Sequence, residues 1–210
     1  MEESALTISV NSFSPSVNIG PKLVPIPDIF CAVNADDVDI RSNISSNIQR
    51  DIPQVVPYET QWDKVVALVV GGPSLDSTLD VLKEKHSEGM PVVTVNGSYK
   101  YCMDRGIRPS AFIMLDSREF NNRFVDPPHK ECKYFICSQC HPSVLDKLEG
   151  YETHIWHCAG QDQYQDILED KYGEIHKDFF PVLGGSTVTL RAIHLMRMLG
   201  FPKFEIFGFD

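Results

Sequence analysis

Basic residues are scarce in this chain of 210 residues: 19 Lys and Arg stand against 29 Asp and Glu, a formal net charge of −10. That balance argues against nucleic acid or an anionic membrane as a partner, because both are held by cationic surfaces. No apolar stretch approaches the roughly 20 residues of a membrane span. The opening MEESALTISV lacks the basic segment and apolar core of a signal peptide. A cytoplasmic location is therefore the expectation. No Lys-Ser or Lys-Thr follows a glycine loop as in a Walker motif, and no G-x-G-x-x-G fingerprint occurs. Six cysteines without a secretion signal fit reduced thiols better than a disulfide framework. No internal repeat is visible. What is present is the composition of a folded globular protein, 42% hydrophobic and 23% charged, long enough for one α/β domain with a terminal arm.

The arm is residues 1–61, rich in Ser, Asn and Pro, with a short helix expected within Asp36–Asp51. From Trp62 to Asp210 short β-branched or aromatic runs alternate with segments of helical period, which predicts a parallel sheet covered by helices. The predicted strands are Val65–Val70, Val92–Val95, Ala111–Leu115, Tyr134–Cys137, His154–Trp156 and Phe204–Phe207. Leu75, Leu79 and Leu82 share one helical face, and Tyr99, Cys102 and Met103 a shorter one ended by Gly106. Pro142–Leu148 suits a helix stopped by Gly150, and Ser186–Leu199 a longer one stopped by Gly200 and Pro202. The chain ends at Asp210 directly after a predicted strand, so a natural continuation beyond it is expected.

Three strand ends carry the chemistry. Val70-Gly71-Gly72-Pro73-Ser74 breaks a strand into glycines and then a helix, where backbone N–H groups can approach a phosphate; it also suits a plain tight turn. Asn96 and Asp116 end the next two strands and would face the same crevice, Asn96 as a reader of base or ribose, Asp116 as a ligand for ribose or Mg²⁺. Both residues also cap helices well. Gly184-Gly185-Ser186-Thr187 repeats the glycine device before the long helix, with Ser186 or Thr187 as its cap. His141 and His157 follow successive strands and are candidate general acids or bases. Cys137, Cys140, His141, His157 and Cys158 have the chemistry of zinc ligands, but no second C-x-x-C accompanies them, and Cys137 reads more readily as a small hydrophobe.

Taken together, Val70–Leu75, Asn96, Gly106-Ile107-Arg108-Pro109, Asp116, Gly184-Gly185-Ser186, Leu199-Gly200 and Phe207-Gly208-Phe209-Asp210 resemble the MptE-like 6-hydroxymethylpterin diphosphokinase family. That family takes in the domain of Maf flagellin glycosyltransferases and is similar in outline to bacterial sialyltransferases. The resemblance spans residues 62–210, with Val70 where the family has its first glycine and Ser110 where it has an Asp. It implies a Rossmann-like, three-layer α/β fold with a mostly parallel sheet. It further implies phosphate contacts at Gly71, Gly72, Pro73 and Ser74, base or ribose contacts at Asn96, a polar or metal role for Asp116, and ligand-facing backbone at Gly184, Gly185 and Ser186.

Three functions are open on this reading. The first is transfer of a nonulosonic (sialic-type) sugar from a CMP-activated donor to a glycan or protein, with His157 deprotonating the acceptor. The second is transfer of diphosphate from ATP to a pterin-like acceptor, with Mg²⁺ on Asp116. The third is a non-catalytic binding domain.

Overall fold

The computed structural model describes residues 17–18, 23–24, 35–160, 162–185 and 187–210. Two short strands, β1 (Val17–Asn18) and β2 (Leu23–Val24), pair antiparallel in the arm. The six strands of the main sheet are β3 (Val65–Val69), β4 (Val92–Val95), β5 (Ala111–Met114), β6 (Lys133–Cys137), β7 (Thr153–Trp156) and β8 (Lys203–Phe207). They lie in the order β7-β6-β5-β4-β3-β8, every neighbour parallel. All six were expected from the sequence to within one residue at either end.

The inner strands β3 to β6 are near-continuous apolar runs because both faces of the sheet are covered there, whereas the edge strand β8 alternates polar and apolar residues and stays partly exposed. Side-chain alternation sends Val66 and Leu68 of β3 to one layer, with Ala192, Leu195 and Val144, and Ala67 and Val69 to the other, with Leu75, Leu82 and Cys102. The helices of the first layer are α5 (Pro142–Lys147) and α7 (Val188–Met198). The second layer holds α2 (Ser74–Ser77), α3 (Leu79–Ser87) and a face of α4 (Ser98–Asp104). The one helix expected across Leu75–Leu82 is two, because the Thr78 hydroxyl donates back to the Ser74 carbonyl at 3.1 Å and the backbone breaks there.

Two elements carry no clear signal in the sequence. Glu119–Val125 is a 3₁₀ turn between β5 and β6, and α6 (Gln165–Tyr172) buries little beyond Leu168. The expected short helix of the arm is α1 (Asp37–Asn47), and it is no loose appendage. Ile40 and Ile44, one turn apart, bury against Tyr164, Leu168 and Phe179. The adjacent stripe, Asn43 and Asn47, faces the loops after β5 and β6. Asn43 Nδ2 donates to the Ser117 and Gln139 carbonyls at 3.0 and 3.1 Å. Asn47 Nδ2 donates to those of Ser138 and Cys140 at 3.0 and 2.6 Å.

From β3 the chain steps outward to β7 and then returns to place β8 on the far side of β3. The reversal of strand order at β3 sets the carboxyl ends of β3, β4 and β8 at the position where open parallel sheets bind ligands.

Candidate functional site

At that reversal the glycine turn meets the end of β8. Gly72 N donates to the Gly208 carbonyl at 2.8 Å, and a Cβ on Gly72 would stand 2.6 Å from the same oxygen and press on the Asp210 carboxylate. Ser74 donates to that carboxylate twice, from its Oγ at 2.6 Å and its N at 3.1 Å. The positive end of this turn is thus compensated by a carboxylate of the chain itself. Gly71 differs, since a Cβ there would meet nothing within 4 Å. It opens on a cavity of about 550 Å³ lined by Gly71, Gly72 and Pro73 on one side and Asn96, Gly97 and Tyr101 on the other, with Val188 of α7 at its border.

Asn96 holds its place through an uncommon backbone conformation, φ +46°, which asparagine tolerates better than most residues. Its Oδ1 accepts from Leu115 N at 3.2 Å, which ties the end of β4 to that of β5; among the described residues the Nδ2 donors have no acceptor. Behind it the Ser98 hydroxyl donates to the Val69 carbonyl at 2.7 Å and accepts from Val95 N at 2.9 Å, fastening β3 to β4. On the outer wall Tyr101 Oη donates to Asp76 at 2.6 Å, with the Arg105 guanidinium stacked 3.6 Å above the Tyr101 ring.

The second glycine pair reaches the same end of the sheet. Gly184 has φ +134°, and a Cβ there would lie 2.6 Å from the Leu190 carbonyl carbon, so this glycine lets the loop pass against the first turn of α7. Gly185, φ +69°, has room around it. Thr187 caps α7, its Oγ1 accepting from Leu190 N at 3.3 Å; Ser186, the other candidate cap and an expected phosphate contact, lies outside the described residues.

The comparisons with known proteins fit this geometry. The model of the family described as 6-hydroxymethylpterin diphosphokinase MptE-like matches residues 38–210. The chain belongs to that family. The match begins at Val38 and so takes in α1 from its second residue, within the 1–61 segment expected to be an arm. Among solved structures the chain is similar to the Maf glycosyltransferase from Magnetospirillum magneticum AMB-1, with a TM-score of 0.66 and 17% identity, covering 86% of this chain and 28% of that one. The chain therefore spans well under half the length of that protein, and the likeness is one of fold. No curated protein matches.

Within this MptE-like fold, two expected catalytic residues stand differently from their sequence reading. His157 is only 2% exposed, packed beside Tyr172 and Phe179, with Nε2 3.2 Å from Gln54 Oε1 and, among the described residues, no partner for Nδ1. Burial pushes its pKa down to about 3. A ring so enclosed does not line the glycine cavity, and a pKa so low makes it a poor proton acceptor, which speaks against it as the acceptor's base. His141 is the cap of α5, its Nδ1 accepting from Ser143 N.

Asp116 reaches the carboxyl end of β5 but is already engaged. Arg118 donates to it from Nε at 3.0 Å and Nη2 at 2.8 Å, a bidentate pair, and from its backbone N at 3.1 Å. Burial alone would raise this carboxyl, yet the hydrogen bonds from Arg118 bring it below the ordinary aspartate value. Asp76 is likewise held by Tyr101, and Asp210 by Ser74. Among the described residues no three His, Cys, Asp or Glu side chains gather to hold an ion, so the cysteines and histidines considered for zinc do not assemble a ligand set.

Beyond β6 and β7 lies a second cavity, of about 240 Å³, lined among others by Ser138, Cys158, Gly160, Tyr164, Phe179 and Leu183. The sequence reading missed it, together with Arg191, which is 6% exposed and donates to the Val182 carbonyl at 2.6 Å and that of Ala159 at 3.3 Å. An arginine one turn after Val188, on the face that carries Ala192 and Leu195, was the signal available.

Proposed function

We propose that this chain is a nucleotide-dependent transferase domain that moves a nonulosonic sugar from a CMP-activated donor to a glycan or protein acceptor in the cytoplasm. The observation that carries this reading is the cavity between Gly71 and Asn96: unobstructed glycine backbone on one wall faces, on the other, an amide whose Nδ2 has no acceptor among the described residues. The matched family and the similar structure both bear the names of transferases.

In this reading Gly71 lets phosphate lie against the backbone, and Asn96 Nδ2 donates to the acceptor edge of a pyrimidine or to a ribose hydroxyl. Breaking the bond between sugar and phosphate leaves charge on the departing phosphate. Fixed N–H donors near the Gly184-Gly185 turn and the positive end of the eleven-residue α7 would stabilise it without a metal. Gly72 and Ser74 act one step back, holding Asp210 and the end of β8 in place. The free state of all five described cysteines fits a reducing compartment.

A diphosphokinase reaction needs a cation clamped between carboxylates and phosphates, and the carboxylates here are occupied by Arg118, Tyr101 and Ser74. The test is thermal unfolding of the chain with CMP, a CMP-sugar, ATP or GTP, each with Mg²⁺ and with chelator. A ligand at 100 times its Kd stabilises by roughly 2.7 kcal/mol. Stabilisation by cytidine nucleotides in chelator is the expected result. Stabilisation by ATP that requires Mg²⁺ would turn the assignment to diphosphate transfer, and no stabilisation by any nucleotide would leave a binding domain without this chemistry.

A further inference from the structure

Five buried cysteines are described, and among them one pair of thiols is in contact. Cys137 ends β6 and Cys158 lies two residues beyond the end of β7, on the neighbouring parallel strand; their Sγ atoms are 3.5 Å apart. The other described thiols are placed otherwise. Cys140 donates to the Met114 carbonyl at 3.6 Å, Cys132 to that of Lys133 at 3.6 Å, and Cys102 belongs to the opposite layer of the core.

The two partners of the pair are unequal. Cys137 is fully enclosed, whereas Cys158 lines the 240 Å³ cavity and retains 8% exposure. Arg191 reaches over the adjoining residue, donating to the Ala159 carbonyl, and no carboxylate among the described residues pairs with it. A buried guanidinium favours an anion close by, and the Cys158 thiolate lies within reach of its charge. Burial works against that thiolate, but the Cys137 thiol donating to it and the charge of Arg191 hold Cys158 below its ordinary pKa. Burial drives Cys137 the other way, well upward, so it keeps its proton.

We propose that Cys158 and Cys137 are a peroxide-reactive dithiol, Cys158 as the attacking sulfur reached through the cavity and Cys137 as the resolving thiol. The Cys158 thiolate attacks one oxygen of hydrogen peroxide, the O–O bond breaks, and hydroxide leaves and takes up a proton as water, giving a sulfenic acid. The Cys137 sulfur then attacks the Cys158 sulfur, and the hydroxyl departs with the Cys137 proton as a second water. Two thiols and one peroxide become one disulfide and two waters, the two sulfurs supplying the two electrons. Closing 3.5 Å to a bond asks for rotation of both side chains, with any backbone adjustment falling at Cys158, which lies beyond the paired part of β7. The cross-link would tie the end of β6 to the cavity wall at residues 158–160.

The experiment is treatment of the folded full-length chain with dilute hydrogen peroxide, an acid quench with N-ethylmaleimide, digestion and mass spectrometry. The expected result is loss of two alkylatable thiols per chain, a Cys137–Cys158 linked peptide dominating all other pairings, and full recovery with dithiothreitol. In Cys137→Ser the sulfenic acid has no resolving partner, so dimedone should label Cys158; in Cys158→Ser both labelling and linkage should vanish. Random pairings, labelling at another cysteine, or all thiols surviving peroxide that oxidises the urea-unfolded chain would each overturn the proposal. The wild-type measurement stands even if a serine variant fails to fold.

Discussion

The two ends of one row of strand termini are built in opposite ways. Where β3, β4 and β8 finish, the chain places glycines, keeps polar groups within reach of solvent, and leaves an open cavity of about 550 Å³. Where β6 and β7 finish, it buries polar groups instead: Asn47 of α1, His157, Cys137 and Arg191 of α7 are all enclosed, and the cavity there, of about 240 Å³, is lined by their neighbours Ser138, Cys158 and Ala159. The first arrangement suits a ligand that comes and goes. The second suits fixed geometry, because a buried polar group is stable only while its partners stay in place.

The largest effect should come from loosening the buried end. Asn47 is fully buried and satisfies two loop carbonyls, so Asn47→Leu leaves both stranded, at about 1–3 kcal/mol for each buried unsatisfied group. A loss of about 3 kcal/mol in urea unfolding is expected. A loss below 1 kcal/mol would mean that α1 merely leans on the domain. At the open end, two neighbouring glycines should separate structure from binding. Gly72→Ala forces a Cβ against the Gly208 carbonyl and should cost about 2 kcal/mol, within the range for overpacking. Gly71→Ala meets nothing and should leave stability within about 0.5 kcal/mol of the parent, yet weaken CMP binding in titration calorimetry. If Gly71→Ala binds CMP normally, phosphate does not lie on that backbone.

The same contrast explains what could be read in advance. The sheet was legible because β-branched runs such as Val65–Val69 and the stop at Gly200-Phe201-Pro202 are local signals. The glycine turns were legible as places of close approach, but a glycine does not say what approaches it. Gly72 is a glycine because of Asp210, 138 residues later, and Gly184 because of Leu190. His157 looked like a base because it follows a strand; its enclosure depends on Gln54, Tyr172 and Phe179, none of them near in sequence. The helix α1 could be seen, whereas its grip on four loop carbonyls could not, since Asn and Ser also signal a solvated arm.

Acid should probe the buried end selectively. Folded His157 takes up a proton only near pH 3, whereas the unfolded chain does so below about 6.5. The stability this ring contributes is therefore complete above pH 6.5 and is lost as the pH falls from there toward 3. The slope is at most about 1.4 kcal/mol per pH unit, or up to about 2 kcal/mol between pH 6.5 and 5. His129, His154 and His194 are also held below their ordinary values, burial being the leading cause for each, so the informative quantity is wild type minus His157→Gln across that window. A resonance of His157 that titrates near pH 6 by NMR would show this end to be wet and would reopen the ring's role as a base.

The smallest effect lies between the two ends, at Asp116. Its pair with Arg118 is partly exposed, 36% on the arginine and 15% on the aspartate, so Arg118→Met should cost no more than about 1 kcal/mol at pH 7. Because the folded carboxyl sits below its unfolded value, this contribution is present above about pH 4 and fades as the pH drops through the folded pKa. The variant and the wild type should therefore converge in acid. The pair also decides whether the open end can take a cation. While Arg118 holds both carboxylate oxygens, Mg²⁺ alone should not shift the wild-type unfolding temperature. If it does, Asp116 exchanges arginine for metal without help, the open end becomes a site for a metal-bound triphosphate, and the preference for metal-free sugar transfer reverses.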